Sequence, residues 1–146
     1  MVEIHAVYEG NLRCHVTHGP SGQTIPTDAP KDNFGKGEAF SPTDLVAAAL
    51  GSCMLTVMGI VAMRHQIDLT GTQASVTKEM IPEPSPRPFS KGRGSRRIDR
   101  LSVTITFPRR FTEDERRLLE ETALRCPVHH SLHQDVDAPV AFVYPD

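Results

Sequence analysis

The chain has no tryptophan and only 5% aromatic residues, so it offers no row of base-stacking platforms. Its formal net charge of -2 lacks the excess of Lys and Arg that a general binder of nucleic acid or anionic membrane needs. Three cysteines are an odd number without paired spacing, which excludes a disulfide scaffold and points to free thiols. There is no nucleophile elbow, no HExxH, no glycine-rich phosphate loop and no defensible Ser-His-Asp arrangement. The opening residues MVEIHAVYEG carry an acid and no basic stretch leading into an apolar one. No secretory leader is expected from them, and the expected location is cytoplasmic. The 146 residues are expected to form one domain, 1–146, with a substantial core.

What the chain does have is a long uncharged run. Between Leu45 and Met63 there is no charged residue, and the apolar side chains fall on every face of a helical wheel. Such a helix must be covered all round, as the post of a core or as a membrane span. The run is rich in Ala, Gly, Ser and Thr and has no Trp or Tyr at either end, which favours the core helix and no membrane. Its start is marked by Ser41 as cap, Pro42 at the first helical position and Asp44 as the reciprocal acid of a capping box. Cys53 sits in its middle behind Gly51 and Ser52. Taken from this helix alone, Cys53 reads first as a packed small hydrophobe, with a reactive thiol as the alternative.

Around this helix the pattern alternates. Residues 2 to 8 and 11 to 18 are expected as two strands, with Cys14 on the apolar side of the second and Arg13 on the other. Residues 23 to 27 suit a short third strand, and 28 to 40 a Gly, Pro and charge-rich connection. Residues 70 to 81 are expected as a strand. The Pro and Arg-rich segment 82 to 97 is expected as a loop, with a basic flap over an anionic ligand as the alternative. Leu101 to Phe107 is a clean strand. Thr112 and Glu115 form a capping box for a helix with an apolar stripe of Leu118, Leu119, Ala123 and Leu124. Pro127 ends it and can open a short helix, Val128 to Gln134, with Cys126 as its cap; Ala138 to Tyr144 is a last strand. Strands on both sides of helices with short returns indicate an α+β fold.

The thiols are the reactive centres of note. At a helix start, Cys126 meets unpaired backbone N–H groups that favour its thiolate. Behind it, CPVHHSLH sets Cys126, His129 and His133 on one helical face, a zinc half-site in spacing, with His130 beside them. Two cysteines on different helices also suit a redox couple. One thiolate attacks a peroxide oxygen and becomes sulfenic acid, and the other condenses with it to a disulfide.

The run SPTDLVAAALGSC, the Pro and Arg-rich connection ending RRIDRL, then EDERRLLE and RCPVH resemble the OsmC/Ohr family of osmotically inducible and organic hydroperoxide resistance proteins, in its OsmC-like branch. The likeness runs from about Tyr8 to the last strand. It implies an intertwined homodimer in which two central helices are wrapped by antiparallel-rich sheets, with sites at the subunit interface. It implies Cys53 as the peroxidatic and Cys126 as the resolving cysteine. The reaction implied is reduction of organic hydroperoxides by a lipoyl-type dithiol, without a cofactor. One departure stands out. The peroxidase branch reads Asn-Pro-Glu before its cysteine, the Glu orienting an Arg onto the thiolate, whereas here Ser41-Pro42-Thr43 stands. Asp44 lies next door but about 100° round the helix. Arg13 is the nearest candidate for the cation, and His129 a further supporting residue. The non-enzymatic alternative is a module holding a small apolar ligand in the same pocket.

Overall fold

A computed structural model describes residues 1–82 and 96–146. The chain falls into two compact units, Met1–Val46 and Ala47–Asp146. The first is a meander of β1 (Ile4–Gly10), β2 (Arg13–His18) and β3 (Thr24–Asp28), paired antiparallel in that order. The β1–β2 turn puts Gly10, Asn11 and Leu12 at positive φ (88°, 53° and 62°), the backbone twist a tight hairpin needs. Pro26 sits within β3, which runs on to Asp28 rather than stopping there. A proline is tolerated because β3 is the edge of its sheet. Cys14 pairs with Tyr8 and Thr27 and is half-buried rather than sealed in a core.

The charge-rich connection after β3 is organised by one carboxylate. Buried Asp28 accepts hydrogen bonds from the backbone N–H of Glu38 (3.0 Å) and of Lys36 (3.4 Å), while its own N–H donates to the Phe40 carbonyl at 3.1 Å. Gly35 is required there, because a Cβ on it would fall 1.7 Å from the Ala29 carbonyl oxygen.

Helix α1 (Pro42–Arg64) starts where the sequence places it. Asp44 N–H donates to Ser41 Oγ at 3.2 Å and Ser41 N–H to Asp44 Oδ2 at 2.8 Å, closing the capping box. By length and composition the helix could cross a membrane. Its buried residues, however, are Ala47, Leu50, Gly51, Met54, Met58 and Ala62, one side only. Ala49, Ser52, Thr56, Ile60 and Met63 recur along the opposite side and are exposed. Cover all round is therefore not achieved among the described residues.

The second unit packs α1 on a sheet of β4 (Gln73–Pro82), β5 (Arg96–Thr106) and β6 (Val140–Val143). β4 and β5 are antiparallel, and β6 joins β5 parallel. Both hairpin strands outrun their expected ends, since Pro82 pairs with Arg96 and Ile81 with Arg97. Pro82 is admissible because it closes an edge strand. Residues 83–95, most of the expected loop or basic flap, lie outside the described residues. Leu101, Val103 and Ile105 point inward with Leu50, Met54 and Met58. Gly51 lets α1 come close to the sheet: a Cβ there would stand 3.0 Å from Val76 Cγ2. Helix α2 (Glu113–Leu124) carries the expected box, Thr112 N–H to Glu115 Oε2 at 2.8 Å and Glu115 N–H to Thr112 Oγ1 at 3.3 Å. It buries Leu119 and Ala123 and leaves Leu124 exposed. Tyr144 stacks on Phe107 (centroids 4.6 Å apart) and donates to Glu120 Oε1 at 2.8 Å, fastening the end of the chain to α2.

Candidate active site

Two elements of the second unit bring a cysteine each to one place. Cys53 lies midway along α1, three residues after Leu50 and one before Met54, both fully buried, so its own flank is half-buried. Cys126 follows α2 and is the N-cap of α3 (Pro127–Ser131). Its N–H donates to the Ala123 carbonyl at 3.1 Å, which seats it under the end of α2, and it is wholly buried. Pro127 at the first position of α3 forces the chain to turn there.

The two thiols are neighbours. Cys53 is near enough to Cys126 to bear on the protonation of its thiol. Burial pushes the Cys126 thiol above its ordinary pKa, and the neighbouring Cys53 sulfur adds to this by accepting its proton in a hydrogen bond. The backbone N–H groups of His129 and Val128 pull in the other direction, though no full capping hydrogen bond is made. Burial and its neighbour thus favour the protonated form of Cys126, and half-buried Cys53 is the more exposed residue of the two. Two neighbouring thiols can be oxidised to a disulfide and returned to two S–H groups by exchange with another thiol.

The other sequence candidates have partners of their own. In the first unit Arg13 donates from Nη1 to Glu38 Oε2 at 2.8 Å, and Asp44 serves the α1 cap. His129 Nε2 faces the Ala138 carbonyl at 3.4 Å. His133 Nδ1 accepts from the Asp135 N–H at 3.2 Å and stands 3.5 Å from its carboxylate. The zinc arrangement of Cys126, His129 and His133 is not formed: among the described residues no three metal-capable side chains gather at one point. The five-residue α3 is too short to aim all of them at one ion. Cys14 belongs to the first unit, in β2.

Fold and site together define an α+β protein with a cysteine pair contributed by two helices. The chain belongs to the OsmC-like protein family, whose description matches residues 35–140. It is 42% identical to a candidate osmotic-stress-induced and detoxification-response protein of Psychrobacter arcticus 273-4, covering 97% of this chain and 96% of that one with a TM-score of 0.85. The fold is also that of an organic hydroperoxide resistance protein OsmC from Legionella pneumophila (19% identity, 98% and 96% covered, TM-score 0.73). It is shared with an organic hydroperoxide resistance protein of Vibrio cholerae that holds captopril in one of its active sites (17% identity, 97% and 90% covered, TM-score 0.72). A comparison with curated proteins gave no match.

Proposed function

We propose that the chain is a thiol peroxidase that reduces organic hydroperoxides to alcohols, with Cys53 attacking and Cys126 resolving. The observation that carries this reading is the contact between a reachable thiol and a buried, proton-holding one. The Cys53 thiolate attacks the terminal peroxide oxygen, the O–O bond breaks, and the alkoxide leaves as alcohol after taking a proton. Cys53 is then a sulfenic acid. The Cys126 sulfur attacks it, the S–O bond breaks, water leaves and the disulfide closes. A dithiol of lipoyl type restores both thiols and is itself oxidised to its disulfide. Relatives that carry the name of hydroperoxide resistance or detoxification support the substrate class. The residue at 43 is Thr rather than Glu, so this chemistry runs here without a carboxylate at that position.

The working unit is a homodimer, in which a second copy covers the exposed side of α1 and the open apolar positions Ile4, Tyr8 and Ile25 of the first sheet. The test is consumption of an alkyl hydroperoxide in the presence of dihydrolipoamide. Turnover by the native chain and none by Cys53→Ser are expected. Full turnover by that variant ends the proposal.

A further inference from the structure

The N–H bond to Ala123 seats Cys126 under α2, but the chain that follows it, α3, is not held by itself. A helix of five residues is far below the length that is stable by itself, and α3 buries no residue and has no side-chain cap. What flanks it downstream is a strap, Asp135 to Pro139, stitched along β5. Asp137 N–H donates to the Asp99 carbonyl at 2.9 Å, Leu101 N–H to the Asp137 carbonyl at 2.8 Å, and Val103 N–H to the Pro139 carbonyl at 2.9 Å. Between Arg100 and Asp137 this becomes a parallel bridge. The same two residues pair through their side chains, Arg100 Nε and Nη2 lying 2.8 and 2.6 Å from Asp137 Oδ2. Arg97 Nη1 adds a bond to the Asp135 carbonyl at 3.2 Å. From the strap the Ala138 carbonyl reaches back to His129 Nε2 on α3, at 3.4 Å.

We propose that Arg100 and Asp137 are positioning residues for the buried thiol: they pin the strap to β5, and the strap holds α3 so that Cys126 stays in reach of Cys53. The proposal rests on the redox reading of the cysteine pair. The two side chains are 48% and 56% exposed, so they contribute little to global stability. Their effect falls on the local release of the strap, which exposes α3 and lets Cys126 swing away. Cys53 lies on α1, a separate element, and its attack on a peroxide is indifferent to that release.

The experiment follows both steps in Arg100→Gln, Asp137→Asn and the exchanged pair Arg100→Asp with Asp137→Arg. Oxidation of Cys53 is read by trapping the sulfenic acid with dimedone, and closure by loss of the second thiol. Closure is also driven by diamide, which adds to one thiolate across its N=N bond and is then displaced as the hydrazine by the other thiol. Each single variant is expected to close about two- to fivefold more slowly with either oxidant, the range an exposed ion pair supports. First oxidation at Cys53 and the melting temperature stay at native values, and the exchanged pair recovers the native closure rate. Native closure rates in both single variants overturn the inference, as does slowing that the exchange leaves uncorrected. If the peroxide leaves Cys53 untouched while diamide still closes the pair, the peroxidase reading fails and the diamide rates alone decide the role of Arg100 and Asp137.

Discussion

The site's asymmetry sets an order of events that thiol counting can read. Reduced protein carries three thiols, Cys14, Cys53 and Cys126. Cys126 sits above its ordinary value of 9.0, first because it is buried and then because Cys53 accepts its proton in a hydrogen bond. Cys126 is therefore held in its protonated form more firmly than an ordinary thiol and attacks little in the reduced protein. Adding one equivalent of cumene hydroperoxide per chain should remove two thiols and leave Cys14 as the one still titratable with a chromogenic disulfide. Cys126→Ser should lose one thiol and yield a dimedone adduct at Cys53, and Cys53→Ser should lose none. Brief alkylation by iodoacetamide at pH 7 should label Cys53 well before Cys126, as read by peptide mass. Labelling of Cys126 first, or loss of two thiols in Cys53→Ser, would refute the assignment of roles.

Three further outcomes concern what holds the two units. Asp28 has its carboxyl held below the ordinary carboxylate value, chiefly by the Glu38 N–H, then by the Lys36 N–H and the Arg13 charge, against the opposing cost of burial. A depressed carboxylate contributes stability above its unfolded pKa and loses it as pH falls through the folded one. Acid below about pH 4 should therefore loosen the 28–40 connection, and Asp28→Asn should flatten that pH dependence in hydrogen exchange. Leu119→Ala empties a fully buried position on α2 and should cost about 2–5 kcal/mol in urea unfolding. Thr112→Ala removes one half of the α2 capping box and should cost about 1 kcal/mol in the same assay, with hydroperoxide turnover retained.

Local signals carried the helices well. Ser41, Pro42 and Asp44 at one start, Thr112 and Glu115 at another, and Cys126-Pro127 at a third act within four residues, so their chemistry is visible along the chain. Strand ends were harder. Pro82 and Arg96 read as loop residues along the chain, yet they pair with each other where β4 and β5 meet the 83–95 connection. The meeting of Cys53 and Cys126 depends on contacts between α1 and the α2–α3 turn that no spacing encodes; it was anticipated through the family resemblance and as one option for two thiols. Asp28 reads along the chain as one charge in a connection without periodicity, and the Arg100–Asp137 pair joins residues 37 apart. Each of that pair stands just before an expected strand, and only the parallel bridge makes them neighbours.

The exposed side of α1 supplies the last prediction. An apolar helix with one dry face must place the other against lipid or protein. Lipid is a poor match, because the opposite side of the same helix is committed to a sheet through Gly51 against Val76 and Ala74. The hydroxyls on the exposed side are already satisfied within the helix. Ser52 Oγ donates to the Ala48 carbonyl at 2.7 Å and Thr56 Oγ1 to the Ser52 carbonyl at 2.8 Å. That side can be desolvated without leaving a polar atom stranded, and Ala49, Ser52 and Thr56 are small enough to admit a close neighbour. The proposed second copy fits such a surface, with Ile60 (47% exposed) and Met63 (81% exposed) giving it apolar area. Ile60→Arg sets a charge in that surface without touching the core, so it should turn a dimer into a folded monomer in sedimentation equilibrium. A native chain that sediments as a monomer at tens of micromolar would remove the dimer from the proposal and leave the cysteine chemistry to be judged within one chain.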